Sequence, residues 1–212
     1  DCLYLDIQAP NSSNQSRLPV MFWIHGGGNT SGLKDIYNFA KLVKKEEVIV
    51  VSINYRLGAF GWFTHPAIQS FQFGLDKTSN FGTLDIIAAL RWTQENIAKF
   101  GGDPNNVTIF GESAGGHNVL SLLVSKEAKG LFHKAISQSG YTTTYSLEEA
   151  HKPKNTSNTS AASSSSIFSS LLKSIEYSKL ENKINIEEQR KILKEVDPYT
   201  FFLLYQDENI RS

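Results

Sequence analysis

Cysteine is nearly absent from these 212 residues: Cys2 stands alone, beside a single methionine, Met21. No disulfide can close within the chain. Cys2 is either a buried free thiol on a strand or half of a bridge to a cysteine outside this sequence. Net charge is missing too, because 21 basic residues balance 21 acidic ones. That excludes a nucleic-acid or anionic-membrane partner held by bulk charge. No apolar run approaches the roughly 18 residues needed to span a bilayer, and no leader-like segment precedes Asp1. The start is therefore expected to be a processing or fragment boundary. Internal repeats are absent. What remains is ordinary globular composition, 40% hydrophobic and 20% charged, enough for one domain with a sizeable core.

One stretch organises the rest. Val107-Thr108-Ile109-Phe110 is an apolar strand that runs into Gly111-Glu112-Ser113-Ala114-Gly115, and a helix-compatible run from His117 to Val124 follows at once. Strand, Gly-x-Ser-x-Gly and helix in that order is the setting of a nucleophile elbow in α/β-hydrolases. Such a turn brings strand and helix almost into contact, so the positions two before and two after the serine must lack bulk. A Gly-rich turn with an incidental serine is the alternative for this motif taken alone.

The remaining pattern is that of an α/β protein. Leu3 to Ile7 alternates as a strand, Asn11 to Arg17 is the polar loop of a hairpin, and Pro19 to Ile24 is a strand buried on both faces. Asp35 to Glu47 has the spacing of an amphipathic helix, with Ile36, Phe39, Ala40 and Val43 inward. Val48 to Ile53 is a buried strand, and Tyr55 to Asn80 a long loop with a short turn of helix. Leu84 to Phe100 is a helix with Ile86, Leu90, Thr93, Ile97 and Phe100 on one face, stopped by Gly101 and Gly102. Lys134 to Ser139 is a further strand. Alternating strands and helices predict a mostly parallel sheet with helices on both faces. Residues 153–166 are low-complexity and predict a disordered surface loop. Beyond them Ile167 to Tyr177, Ile186 to Val196 and Pro198 to Tyr205 are helical in pattern.

A serine hydroxyl needs a base, and the tetrahedral intermediate needs donors already in place. His25-Gly26-Gly27-Gly28 after a buried strand matches the oxyanion loop of lipases and esterases. Gly27 and Gly28 are the candidate donors, joined by the amide of Ala114 at the start of a helix. No base is visible. In α/β-hydrolases the acid and then the histidine follow the serine, and only His117, His133 and His151 do so here. Each has a structural or solvated reading, and His25 is expected to brace the glycine loop.

Read together, these motifs resemble the type-B carboxylesterase/cholinesterase family. The likeness is carried by Asp1 to Leu5, Pro19 to Gly28, Asn54 to Gly58, Asn80-Phe81-Gly82 with Asp85, and Asn96 to Ala98. It continues through Phe100 to Pro104, Val107 to Gly116, Gly130 to His133 and Gln138 to Gly140, and is weak after residue 140. The resemblance implies an α/β-hydrolase fold, incomplete here with its later strands missing, over residues 1–212. It implies hydrolysis of small-molecule carboxylic esters through an acyl-serine, with Ser113 as nucleophile and Gly27, Gly28 and Ala114 as the oxyanion hole. Glu112 falls in the substrate pocket, where it favours cationic groups. No metal or cofactor is implied. The acid and histidine of the triad are expected beyond Ser212, and Cys2 is expected to pair with a cysteine upstream of Asp1.

Two departures stand out. Asn29 replaces the usual aromatic after the glycines, and the family's choline-stacking tryptophan would precede Asp1, so a general carboxylesterase is preferred. A non-catalytic adhesion protein of the neuroligin kind, or an inactive fragment, is the competing reading. Arg56 and Asp85 are expected to form a partly buried ion pair. Sequons occur at Asn11, Asn14, Asn29, Asn106, Asn155 and Asn158; Asn106 opens a buried strand and Asn29 lies by the candidate site, so the other four, with Cys2, favour a secreted glycoprotein over a cytoplasmic one.

Overall fold

A computed structural model of the chain describes residues 2–11, 17–151, 163–174 and 184–206. They fall into two compact units, one of residues 1–61 and 81–143, the other of residues 62–80 and 144–212.

The first unit is built on a sheet of β1 (Leu5–Gln8), β2 (Leu18–Ile24), β3 (Ile49–Ile53), β4 (Gly102–Glu112) and β5 (Lys134–Gln138), in the order β1-β3-β2-β4-β5. β2 pairs in parallel with both β3 and β4, and β4 in parallel with β5; only β1 on β3 is antiparallel. The mostly parallel α/β sheet is as the sequence predicts. The apolar runs of β2 and β3 follow from their central place, because such a strand is covered on both faces. On one face Trp23, Val50 and Phe110 meet Val43 of α1 (Ala40–Glu46). The alternate residues Phe22, Val51 and Ile109 are fully buried as well, each contributing about 1.5–3 kcal/mol of hydrophobic stabilisation. Helix α2 (Gly58–Trp62) and the short α3 (Pro66–Gln69) follow β3, then α4 (Phe81–Asn96) and α5 (Ala114–Val124) flank β4.

The expected hairpin does not form: β1 lies beside β3, not β2. β2 has both edges occupied by parallel partners, and the alternating, half-exposed β1 fits only an edge. The tip of that expected loop, residues 12–16, lies outside the described residues.

The helix expected from Asp35 starts late. Side chains take the amides that a longer helix would use: Gln8 Oε1 accepts from Phe39 N at 3.1 Å and Asn38 Oδ1 from Ala40 N at 2.9 Å. Only a 3-10 turn, Lys34–Ile36, precedes the break, and Ile36 is 70% exposed rather than inward. In α4, Ile86, Leu90 and Thr93 are fully buried as predicted, as is Ile97 in the 3-10 turn that follows, but Phe100 is half-exposed and packs on Trp92. Cys2 is exposed, which removes the buried-thiol reading.

The second unit holds α3 and the 3-10 turn Gly74–Thr78, so residues 55–80 carry more helix than the single turn expected. It continues with α6 (Leu147–His151), α7 (Ser164–Ser174), α8 (Ile186–Glu195) and α9 (Pro198–Gln206). Phe63 packs edgewise on Phe201, and His65 against Phe168. The end of the low-complexity stretch is ordered: Ser163 is buried and its hydroxyl accepts from the Ser166 amide, capping α7. Residues 153–162 of that stretch lie outside the described residues. Asn185 and Glu188 cap α8 reciprocally.

Candidate active site

Ser113 sits between β4 and α5 with φ 55° and ψ −120°. A side-chained residue there carries on the order of 1–3 kcal/mol of backbone strain, held by surroundings that over-determine it. Its amide donates to Gln138 O at 2.9 Å, and its carbonyl accepts from His117 N at 2.9 Å, opening the helix. The predicted need for glycine on either side is met in atomic terms. A Cβ on Gly111 would lie 2.5 Å from the Gly115 carbonyl carbon, and one on Gly115 would lie 2.0 Å from Ile24 O.

The glycine loop lies against the serine. A Cβ on Gly26 would stand 3.2 Å from Ser113 Cβ and 3.2 Å from Glu112 Oε2. The structure thus brings Gly26, Glu112 and Ser113 together, with Glu112 exposed and Ser113 half-buried. Gly27 and Gly28 follow, both exposed and both left-handed, at φ 105° and 63°. The Gly27 carbonyl is occupied by the amides of Thr30 and Ser31 at 3.1 and 3.0 Å. Among the described residues no hydrogen bond engages the Gly27 or Gly28 amide, and the Ala114 amide opens the first turn of α5, where helical amides have no intrahelical acceptor.

His25 is buried beneath the loop, its ring stacked 4.5 Å from Tyr55. Its Nδ1 donates to Gly26 O at 2.8 Å, and a Cβ on Gly32 would press on the ring. Burial lowers its pKa, against the raising effect of the Gly26 carbonyl, so it is a neutral brace.

The other histidines are engaged elsewhere. His117 Nδ1 donates to Tyr141 O at 2.5 Å, and its ring stacks on Tyr141. His133 Nδ1 accepts from Val107 N at 3.2 Å. In the second unit His151 Nε2 is 3.1 Å from Thr64 Oγ1, and His65 Nδ1 accepts from Ala67 N. Among the described residues of the first unit, no histidine is hydrogen-bonded to the Ser113 hydroxyl.

Arg56 and Asp85 form the expected pair, and it is bidentate. Arg56 Nε and Nη2 each donate at 2.8 Å, and the Arg56 amide donates at 3.0 Å to the same carboxylate. Sequence reasoning missed a second cluster, buried Lys34 donating to Asp6 at 2.5 Å and Asp35 at 2.8 Å. Burial opposes its charge, but the two carboxylates outweigh that and raise its pKa. The same reasoning missed Asn118, a polar side chain on the buried face of α5; that mismatch was its only signal.

A wide cleft of about 1000 Å³ between β1 and α1, lined by Asp6, Gln8, Asp35, Tyr37 and Lys44 among others, includes none of the candidate site residues. Among the described residues no group of three or more His, Cys, Asp or Glu could hold a metal, and no helix is long and apolar enough to cross a membrane.

A family model for the carboxylesterase family matches residues 1–204, well past the point where the motif resemblance fades. A liver carboxylesterase of Sus scrofa is 51% identical over 148 residues, 69% of this chain and 25% of that protein. A para-nitrobenzyl esterase of Bacillus subtilis is 49% identical over 152 residues, 71% of this chain and 30% of that one. The solved structure of a PNB esterase superposes with TM-score 0.77 at 37% identity, over 99% of this chain and 39% of the other. The chain thus spans between a quarter and a third of the length of these two curated relatives.

Proposed function

Because the chain belongs to the carboxylesterase family, we propose that it carries the nucleophile and oxyanion hole of a carboxylic ester hydrolase. The observation that carries this reading is the strained Ser113, at φ 55°, with Gly26 packed against it. Ser113 Oγ attacks the ester carbonyl carbon as a base removes its proton. The negative oxygen that results is held by the amides of Gly27, Gly28 and Ala114. Collapse expels the alcohol, which takes the proton back, and leaves an acyl-serine. Water then attacks that ester and releases the carboxylic acid. Glu112, exposed beside the serine, biases the entrance toward substrates with a cationic part. We place the base and its acidic partner in the part of the relatives' length that these 212 residues do not span.

The adhesion reading is disfavoured by the serine itself, because a protein without chemistry has no use for a strained hydroxyl. Exposed Cys2 and the exposed sequon at Asn11 support passage through a secretory pathway; a glycosidase-sensitive shift in mass tests that. The sequon at Asn29 is a poor acceptor, its carboxamide already bonded to Asn118.

The full-length gene product is expected to hydrolyse p-nitrophenyl acetate. Ser113→Ala should lower kcat by about 10⁴-fold or more. Residues 1–212 alone should show no Ser113-dependent turnover. Full activity in the alanine variant, or robust turnover by the 212 residues alone, would overturn the reading.

A further inference from the structure

Gly27, Gly28 and Asn29 have φ of 105°, 63° and 58°, three consecutive left-handed residues. Glycine takes that conformation freely, and asparagine is among the few side-chained residues that tolerate it. Asn29 is tied at both its backbone and its side chain. Its carbonyl accepts from Gly58 N at 2.7 Å, and its Oδ1 accepts from Asn118 Nδ2 at 2.9 Å.

Asn118 is 2% exposed on α5, four residues after Ala114 and so on the same helical face. Its side chain also bonds the Tyr55 hydroxyl. That hydroxyl donates onward to His25 O at 2.5 Å, so toward Asn118 it is the acceptor. Burial raises the phenol's pKa above its ordinary value, which keeps the proton in place for donation. One carboxamide therefore reaches both ends of the glycine loop, His25 through Tyr55 and Asn29 directly.

We infer that Asn118 is a positioning residue that references the glycine loop to the helix carrying Ser113. It sets where the amides of Gly27 and Gly28 point relative to that of Ala114. This rests on the ester-hydrolase reading above and adds to it a residue that touches no substrate. The physical reason is geometric. Oxyanion donors act only when they meet at one point, and a misplacement of about 1 Å can cost on the order of 10²-fold in rate. With the anchor on the nucleophile's own helix, loop and serine move as one body. Without it Asn29 loses its side-chain hold, and the loop is free to turn its amides away.

The test uses the full-length gene product with a p-nitrophenyl ester, its active sites counted by burst titration. Asn118→Ala and Asn29→Gly, the latter keeping the left-handed backbone, should each lower kcat per titrated site by about ten- to a hundred-fold. KM should stay nearly unchanged, and affinity for a trifluoromethyl ketone should fall in step with kcat/KM. The double variant should fall no further than the worse single one, because both remove one link. A purely structural role would lower the yield of active sites and leave kcat per site untouched; that result, or additive losses, overturns the inference. If Asn118→Ala does not fold, Asn29→Gly at the half-buried end of the link decides the question alone. A wild-type protein with no Ser113-dependent esterase activity would instead refute the functional reading itself, which is a distinguishable failure.

Discussion

The elbow of the first unit and the core of the second are held by different kinds of contact. At the elbow, backbone crowds backbone. The carbonyls of Ile24 and His25 crowd Gly115, and Gln138 O lies 2.6 Å from where a Cβ on Gly116 would be. In the second, side chains meet side chains: Phe63 on Phe201 at 4.9 Å, His65 on Phe168 at 4.9 Å, Arg190 over Phe71 at 3.9 Å. Backbone contact admits one residue type, whereas side-chain packing admits several of similar volume. Residues 107–116 therefore announce their geometry, and residues 163–174 and 184–206 announce little beyond being helical.

The sharpest way to break this contrast is Gly115→Ala. A methyl 2.0 Å from Ile24 O cannot be accommodated without moving the elbow or β2, and the cost should exceed about 3 kcal/mol. Urea denaturation reads it directly, and a variant with an unchanged midpoint would mean the elbow is far looser than described.

A smaller effect should come from pH, and from the second unit. His65 is buried against Phe63 and Phe168, and burial, followed by the nearby His151, lowers its pKa from 6.5 to about 4. A depressed folded-state pKa means that its contribution to stability is complete above pH 6.5. It is lost as pH falls toward about 4, where folding must hold a neutral ring that the unfolded chain would protonate. His65→Asn keeps an acceptor for the Ala67 amide but does not titrate. Its denaturation midpoint should fall less between pH 7 and pH 4.5 than that of the parent. Superimposable profiles would remove His65 as the source.

The smallest change is expected from Phe168→Leu, roughly 1 kcal/mol, because a side-chain interface can repack around a similar volume. A loss as large as that of Gly115→Ala would erase the distinction between the units.

The sheet's central strands were legible because burial on both faces writes a continuous apolar run, as in Val20 to Ile24 and Ile49 to Ile53. The Arg56–Asp85 pair was legible from its motifs. Neighbour relations were not. Leu5 to Gln8 has a strand's pattern whichever partner it takes, and only the crowding of β2 by β3 and β4 sends it to the edge of β3. The break before α1 was hidden for a similar reason: the Gln8 side chain that takes the Phe39 amide lies 31 positions away. Nothing local marks Lys34 for burial; its ammonium is buried beside Asp6 of β1, 28 positions away.

By itself the sequence determined the strand–serine–helix bend and the glycine-lined loop, the two features that point to acyl transfer. Both are local, written in which residues can bear a left-handed backbone or a missing Cβ. Tertiary structure alone decided that Asn118 reaches Asn29 and Tyr55, that His117 is taken up by Tyr141, and that β1 caps β3. Those are pairings between distant residues. A residue's own pattern reports its conformation and burial, and leaves its partner to the fold.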